Sequence, residues 1–349
     1  MITRDVFFRV DGTAATGAGH VSRCLVLASS LAQKGARIHF LAARLDSDVE
    51  AMIASAGHRV VRLAADDGLA CRKEILDSAR SRPLLVVDHY SLDAKWERLV
   101  RPAVGRLMVI DDLADRPHDC DFILDQAYGE DGSRYRNLVP PGCVGLFGTR
   151  YALLRSEFAG LRSRPLKNLE RAGALLDVHV FFGSFDPRRL ALRFAPLIAC
   201  LESVCNISIS VSEGFNAREP LEDLRLQSNG RIRWRIPGAD MASHMAACDV
   251  AIGAPGHTTW ERACLGLPAA YVAVSGNQVD ILKRLADTGL CAYLGDARAL
   301  DDRQFLQGAK DFLADRGRLV RMRRLAMQAV DGEGAARVSR ALLGSRVPS

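Results

Sequence analysis

The sequence predicts two α/β domains in tandem, each built on a Rossmann-like parallel sheet. Three observations carry this. Short apolar runs bounded by Gly, Asp and Pro alternate with helical periods, as in parallel α/β sheets. The alternation pauses at a polar, proline-bearing segment and then restarts. A chain of 349 residues is also long for one domain and comfortable for two.

In the first half, residues 6–10 read as a strand, 20–34 as a helix and 37–42 as a strand. Residues 46–56 are helical and 58–63 extended. "PLLVVDHY" (83–90) is a buried strand, 94–100 a helix, and "RLMVIDD" (106–112) another strand. "DFILDQ" and "CVGLFG" add two late strands. "RSRPLKNLERAG" is basic and carries Pro165, so a linker is expected over 162–175, between domains at 1–161 and 176–349. Beyond it come "DVHVFFG", a helix at 189–201, "NISISV", "GRIRWRI", a helix at 241–248, "VAIGA", a helix at 258–265, "AAYVAV", a helix at 278–288 and "CAYLG". The terminal helices are expected to pack back on the first domain. Two domains of similar size imply a cleft, and ligands of open parallel sheets sit at the carboxyl ends of the strands.

Composition narrows the function classes. With 48% hydrophobic and 25% charged residues the chain is an ordinary globular protein. The net charge of +6 is spread without a basic stripe interleaved with aromatics, so no nucleic-acid surface is expected. Nine cysteines, none in CxxC spacing and most inside apolar patterns, suggest reduced core thiols of a cytoplasmic protein. "MITRDVFFRV" is too short and charged for a signal peptide, and no run of about 18 apolar residues predicts a membrane span. A monomer or weak homodimer is expected.

"RVDGTAATGAGHVSRC" places a glycine-rich loop between the first strand and the first helix. It is neither a P-loop, since no Lys follows the glycines, nor a GxGxxG. Gly17 and Gly19 lead instead to His20, in the first turn of the helix. The positive end of the helix dipole opposes a charge there, which favours a neutral imidazole fit to act as a general base. A histidine that merely caps or packs is an equal alternative from spacing alone. Asp11, at the strand end, either orients that base or makes an Asx turn.

These segments resemble the opening motif RxDxS…GxGHxxRCLxLAxxL of the UDP-2,4-diacetamido-2,4,6-trideoxy-β-L-altropyranose hydrolases, the UDP-sugar hydrolases of pseudaminic acid biosynthesis. The resemblance continues through "VVDHYSLDAKWE", "VIDDLADRPHDCDFILDQ", "YRNLVP" and "FGTRYALLRSEF" to "ACDVAIGAPGHTTWERACLGLPAAYVAVSGNQ". It implies a GT-B-like fold, two Rossmann-like domains facing a central cleft, like that of the glycosyltransferase that adds N-acetylglucosamine to the peptidoglycan lipid precursor. It further implies a metal-independent, inverting enzyme without a cofactor, whose partner is the UDP-sugar. His20, Asp11 and Tyr90 are the catalytic residues it suggests, and Arg9, Gly17, Gly19, Arg23, Asp88, His89, Asn277 and Gln278 the sugar-site residues. UDP is expected at Gly183, Ser184, Gly256, His257, Thr258, Thr259 and Glu261, where a glycine loop opens a helix.

The alternatives differ by segment. Asp88, His89 and Tyr90 read without the resemblance as a polar strand end. The aspartates of "VIDDLADRPHDCD" read as turn and helix caps rather than as a metal site, Glu261 as a capping glutamate and Asn277 as an N-cap. Three segments depart from the family pattern: "GSFDP" loses a glycine, "APGHTTWE" puts Pro255 and His257 beside the expected phosphates, and "LDQA" has Ala127 for an asparagine. A GT-B glycosyltransferase and a silent nucleotide-sugar-binding protein are the rival functions. No segment stands out as the apolar and basic patch expected of a lipid-acceptor transferase.

Overall fold

The computed structural model describes residues 4–13, 19–64, 67–165, 167–171, 173–183 and 185–344. The chain divides into two compact units, Met1–Arg155 with Gly332–Ser349, and Ser156–Asp331.

The first unit is a parallel seven-stranded sheet in the order β3-β2-β1-β4-β5-β6-β7. Its strands are β1 (Asp5–Val10), β2 (Arg37–Ala42), β3 (Arg59–Arg62), β4 (Leu84–Asp88), β5 (Arg106–Ile110), β6 (Phe122–Asp125) and β7 (Val144–Phe147). The connecting helices are α1 (Gly19–Ala32), α2 (Ser47–Ser55), α3 (Gly68–Ser78) and α4 (Ala94–Val100). Every residue of β1 is buried, because helices cover both faces of the sheet. Val6, Phe8 and Val10 join Val21, Cys24 and Leu27 of α1, whereas Phe7 joins Cys71, Ile75, Trp96 and Val100 on the other face. The C-terminal helix, Gly334–Leu343, completes the first face with Val338 and Leu342. Gly334 is required where this helix enters: a Cβ there would lie 2.1 Å from the Ala152 carbonyl oxygen.

The second unit is a parallel six-stranded sheet, β10-β9-β8-β11-β12-β13. It comprises β8 (Leu176–Phe181), β9 (Val204–Ser210), β10 (Ile232–Arg235), β11 (Val250–Gly253), β12 (Ala269–Ala273) and β13 (Ala292–Asp296). Its helices are α5 (Ser156–Gly160), α6 (Lys167–Glu170), α7 (Leu190–Ala199), α8 (Arg218–Gln227), α9 (Met241–Ala246), α10 (His257–Cys264), α11 (Asn277–Asp287), α12 (Asp302–Ala314) and α13 (Arg316–Ala329).

The structure differs from the sequence reading at the expected linker. The described residues of this segment belong to the second unit: Leu169 of α6 is buried in its core, and Arg164 donates to the Cys248 carbonyl at 2.6 Å. Arginines that satisfy backbone carbonyls look like a solvated tract in a sequence. Helices α3 and α8 were also not expected. Leu69 and Leu76 of α3 are exposed, which blurs its apolar period, and α8 buries only Leu221.

In each sheet the order reverses once, between β1 and β4 in the first and between β8 and β11 in the second. These switch points open a crevice at the carboxyl ends of the strands, the usual ligand position in such sheets.

Candidate active site

The register that pairs Val10 with Asp88 sets the ends of β1 and β4 side by side. Asp11, Asp88, His89 and Tyr90 therefore converge with the first turn of α1, which brings His20 and Arg23 one turn apart.

Asp88 is the hub. Its Oδ1 lies 2.6 Å from His20 Nδ1 and accepts from Arg23 Nη2 at 2.7 Å, while Oδ2 accepts from Arg23 Nε at 2.6 Å. Arg23 extends through Nη1 to Asp112, 3.1 Å away. Asp88 is buried, which by itself would raise its carboxyl; the charge of Arg23, then the His20 contact, override this and hold it well below the usual carboxylate range. An ionised carboxylate on Nδ1 selects the tautomer with the proton on that nitrogen. Nε2 then carries the lone pair, and it has no partner among the described residues. The Tyr90 ring meets the imidazole edge-on, with centroids 4.5 Å apart and planes at 84°. Its phenol is pushed up to about 12, by burial first and then by the charge of Asp112.

Asp11 is not the residue that orients His20. It forms a bidentate pair with the fully buried Arg9, at 2.5 and 3.2 Å, and accepts from the backbone N–H groups of Ala43 and Arg44 at 2.9 and 3.1 Å. It also lies 3.3 Å from His89 Nε2. The Ser91 N–H donates to His89 Nδ1 at 3.2 Å, so Nε2 bears the His89 proton and donates to Asp11. Burial would raise Asp11, but the His89 bond and Arg9 keep it well below its ordinary value. Gly19 begins α1 with open space where a Cβ would stand. Gly17 and Ser184 lie outside the described residues.

The aspartates of 111–121 are bound into the fold. Asp111 accepts from Ala114 N–H at 2.9 Å and from the Tyr135 hydroxyl at 3.1 Å, and Asp121 takes both ends of Arg101 at 2.6 Å. His118 pairs with buried Glu97 at 2.7 Å. Asp125 is a buried carboxyl pushed up to about 6, by desolvation above all.

In the second unit, β11 runs through Ala254–Gly256 into α10. Gly256 has φ of 129°, and its N–H donates to Thr259 Oγ1 at 3.2 Å, while Thr259 N–H returns to the Gly256 carbonyl at 3.0 Å. The helix begins at His257, one residue before the expected Thr258. His257 and Thr258 are half-buried at its mouth, and Glu261 is buried in the following turn. Gly183, with φ of 100°, lies two residues beyond the end of the neighbouring strand β8.

Solved structures with the same architecture cover nearly all of the chain. MurG of Acinetobacter baumannii matches 96% of this chain and 98% of its own, at 16% identity and a TM-score of 0.66. CalG4, the calicheamicin glycosyltransferase, matches all of both chains at 15% identity and a TM-score of 0.61. The chain has a GT-B-like fold. No family model matches it. Among curated proteins, this GT-B-like chain is 28% identical over 193 residues to the UDP-2,4-diacetamido-2,4,6-trideoxy-β-L-altropyranose hydrolase of Campylobacter jejuni, an alignment covering 54% of the chain and 64% of that relative. It spans less than two thirds of the length of the curated relatives it matches.

Arg262 and Asp186 of this GT-B-like chain were not singled out from sequence, and Asp112 was read there only as a turn or helix cap. Arg262 is fully buried and donates to the carbonyls of Ala254 and Phe181 at 3.1 and 3.2 Å, tying the ends of β11 and β8 together. Asp186, at φ of 35°, caps α7 through the N–H groups of Leu190 and Ala191, both at 2.9 Å. Asp112 is the outer partner of Arg23. Only Asp186 had a signal, its place ahead of a helix in "GSFDP". Gln278 turns back on its own loop, accepting from Val274 N–H at 2.8 Å, while Asn277 accepts from the Ser275 hydroxyl at 2.6 Å. The cap of α11 is Gly276 rather than Asn277.

Proposed function

We propose that the chain processes a UDP-sugar, and that it hydrolyses a UDP-linked diacetamido-trideoxy sugar such as the altropyranose named for its relative. The observation that carries the reading is the buried His20–Asp88–Arg23 arrangement, which leaves His20 Nε2 as an unpaired base beside an exposed tyrosine. Water attacks the anomeric carbon as Nε2 takes its proton. The bond from that carbon to the UDP oxygen breaks, and the electron pair leaves with UDP. UDP spreads its charge over two phosphates, so no strong general acid is required.

The second unit takes the UDP. The amides and hydroxyls at the start of α10 favour the diphosphate, and Glu261 takes the ribose. Pro255 removes one N–H from this loop, and His257 fills space beside it. Asp11 and His89 form the wall of the sugar site rather than its base, and the buried Arg9 holds Asp11 from behind. Neither a metal ion nor a cofactor enters this reading.

General base catalysis by a positioned side chain contributes roughly 100- to 10,000-fold. His20→Ala is therefore expected to lower turnover of the UDP-altropyranose substrate by about that factor while UDP binding, measured calorimetrically, stays the same. Unchanged turnover removes His20 from the role. Reaction in oxygen-18 water tests the bond broken: label is expected on the sugar and none on UDP.

One observation favours a glycosyltransferase instead. Leu69 and Leu76 of α3 and Leu99 of α4 are exposed, and Gly68 packs directly on Leu99. This apolar face, scattered in sequence, is of the kind a lipid acceptor would require. Release of UDP with no acceptor present decides for the hydrolase.

A further inference from the structure

Tyr90 stands at the tip of the turn that follows β4, 45% exposed, yet its ring is set edge-on to His20. A side chain on such a turn keeps its place only if the backbone beneath it is fixed. The carbonyls on either side of Tyr90 and Ser91 are both held by one residue. Arg116 donates through Nη2 to the His89 carbonyl and through Nε to the Leu92 carbonyl, each at 2.8 Å. Its third nitrogen, Nη1, pairs with Asp111 at 3.0 Å and with Asp115 at 2.8 Å. Asp111 follows β5 and is itself fixed by the Ala114 N–H and the Tyr135 hydroxyl. The Arg116 side chain is largely buried.

From this geometry we infer that Arg116 is a positioning residue, a bracket that transmits the rigidity of the β5 end to the Tyr90 turn and so fixes Tyr90 against His20. The planar guanidinium spans two carbonyls and a carboxylate at once; an ammonium is a point donor and cannot. The bracket touches neither imidazole nor phenol, so its effect passes only through the turn. Its consequence for turnover rests on the reading of His20 as the base, whereas its effect on the ring contact does not.

The test therefore has two readouts. The first is the NMR signal of the His20 ring protons, which sit in the ring current of Tyr90. Tyr90→Leu gives the position of these signals without that ring. Arg116→Met is expected to move them most of the way to the same position, and Arg116→Lys to move them nearly as far. In the Tyr90→Leu background, Arg116→Met is expected to add no further shift. His20 signals unmoved by Arg116→Met, in a protein with the parent's melting temperature, overturn the proposal. If Arg116→Met fails to melt cooperatively, Arg116→Lys, which keeps a charge beside Asp111, is read by the same criterion.

The second readout is turnover of the UDP-sugar. Misplacing a group by about 1 Å costs up to roughly 100-fold, so Arg116→Met is expected to lower kcat by 10- to 100-fold with little change in KM. The loss should vanish in the Tyr90→Leu background, whereas a general structural defect would persist there. Additive losses overturn the proposal. A parent protein that turns over no UDP-sugar instead refutes the proposed function and leaves the NMR criterion to decide the bracket.

Discussion

Asp88 accepts from the His20 imidazole, from two nitrogens (Nε and Nη2) on one edge of the Arg23 guanidinium, and from the Cys24 thiol at 3.6 Å, all in a buried setting. Asp88→Asn keeps the shape but replaces one acceptor oxygen by a donor. That NH₂ faces an Arg23 N–H in either orientation, and in one of them the His20 Nδ1–H as well, and a buried guanidinium loses its nearest counter-charge. Breaking a buried ion pair costs about 3–5 kcal/mol, and urea denaturation of Asp88→Asn is expected to show a loss of that order. Turnover should fall with it, because the tautomer that exposes the Nε2 lone pair is no longer selected. A variant as stable and as active as its parent refutes the role given to Asp88. His20 was visible in sequence because glycines ahead of a helix advertise its first turn. Its partner was not, since Asp11 and Asp88 both end strands. Which of them meets His20 depends on how β1 pairs with β4 and how α1 is rotated above them, and neither is written locally.

At the scale of an element, the turn from β11 into α10 depends on close backbone approach. A Cβ on Gly253 would stand 2.0 Å from the Phe181 carbonyl oxygen and 2.9 Å from Arg262 Nη2. Gly253→Ala must therefore part β11 from β8 or expel the arginine that joins them. Overpacking of this kind costs roughly 1–3 kcal/mol, and the melting temperature is expected to drop correspondingly. UDP affinity should weaken in the same variant, because the start of α10 moves with the turn. Unaltered UDP affinity would mean that the nucleotide does not use this helix end. The strands themselves were legible: among the described residues each has a counterpart in the apolar runs, because helices on both faces make the inner parallel strands continuously hydrophobic, while the edge strands β3 and β10 still keep apolar residues among their arginines. Helices α3 and α8 escaped because exposed leucines in one and a single buried leucine in the other leave no clear period. The segment 162–175 reads as a linker in sequence because Arg162, Arg164 and Arg316 are spent on the carbonyls of Met327, Cys248 and Ala174, contacts that no composition reveals.

For the whole molecule, both units carry buried histidines held low and a buried carboxyl held high, but in different measure. In the second unit, His179 and His244 share the Ser210 hydroxyl at 2.8 Å each, and His244 also meets Ser208. Burial, then the charge of Arg235, pushes His244 down to about 4, and burial holds His179 well below its ordinary value. A histidine that is harder to protonate when folded leaves the unfolded chain with more protons between its two pKa values. Its stabilisation is complete above about 6.5 and is lost as pH falls toward 4, about 3 kcal/mol for His244 alone. The first unit holds His39 and His58, also lowered by burial, which act in the same direction. Against them stand Asp125 of the first unit, raised to about 6, and Asp186 of the second, raised by burial. Each folded form holds a proton that the unfolded chain has released, so each stabilises as pH falls toward 4, and in the second unit the two deeply lowered histidines outweigh the one carboxyl. The carboxylates Asp11 and Asp88, held low, lose their contribution only below about 4. The second unit is thus expected to weaken first on acidification from pH 7 to 4.5. Hydrogen exchange of the β8 and β9 amides, corrected for intrinsic rates, should accelerate well ahead of that in β1 and β4. His244→Gln, which cannot titrate, should flatten the second unit's response by about the His244 share. Equal acceleration in both sheets, or a pH response untouched by His244→Gln, would show that the buried histidines do not govern the acid stability of this chain.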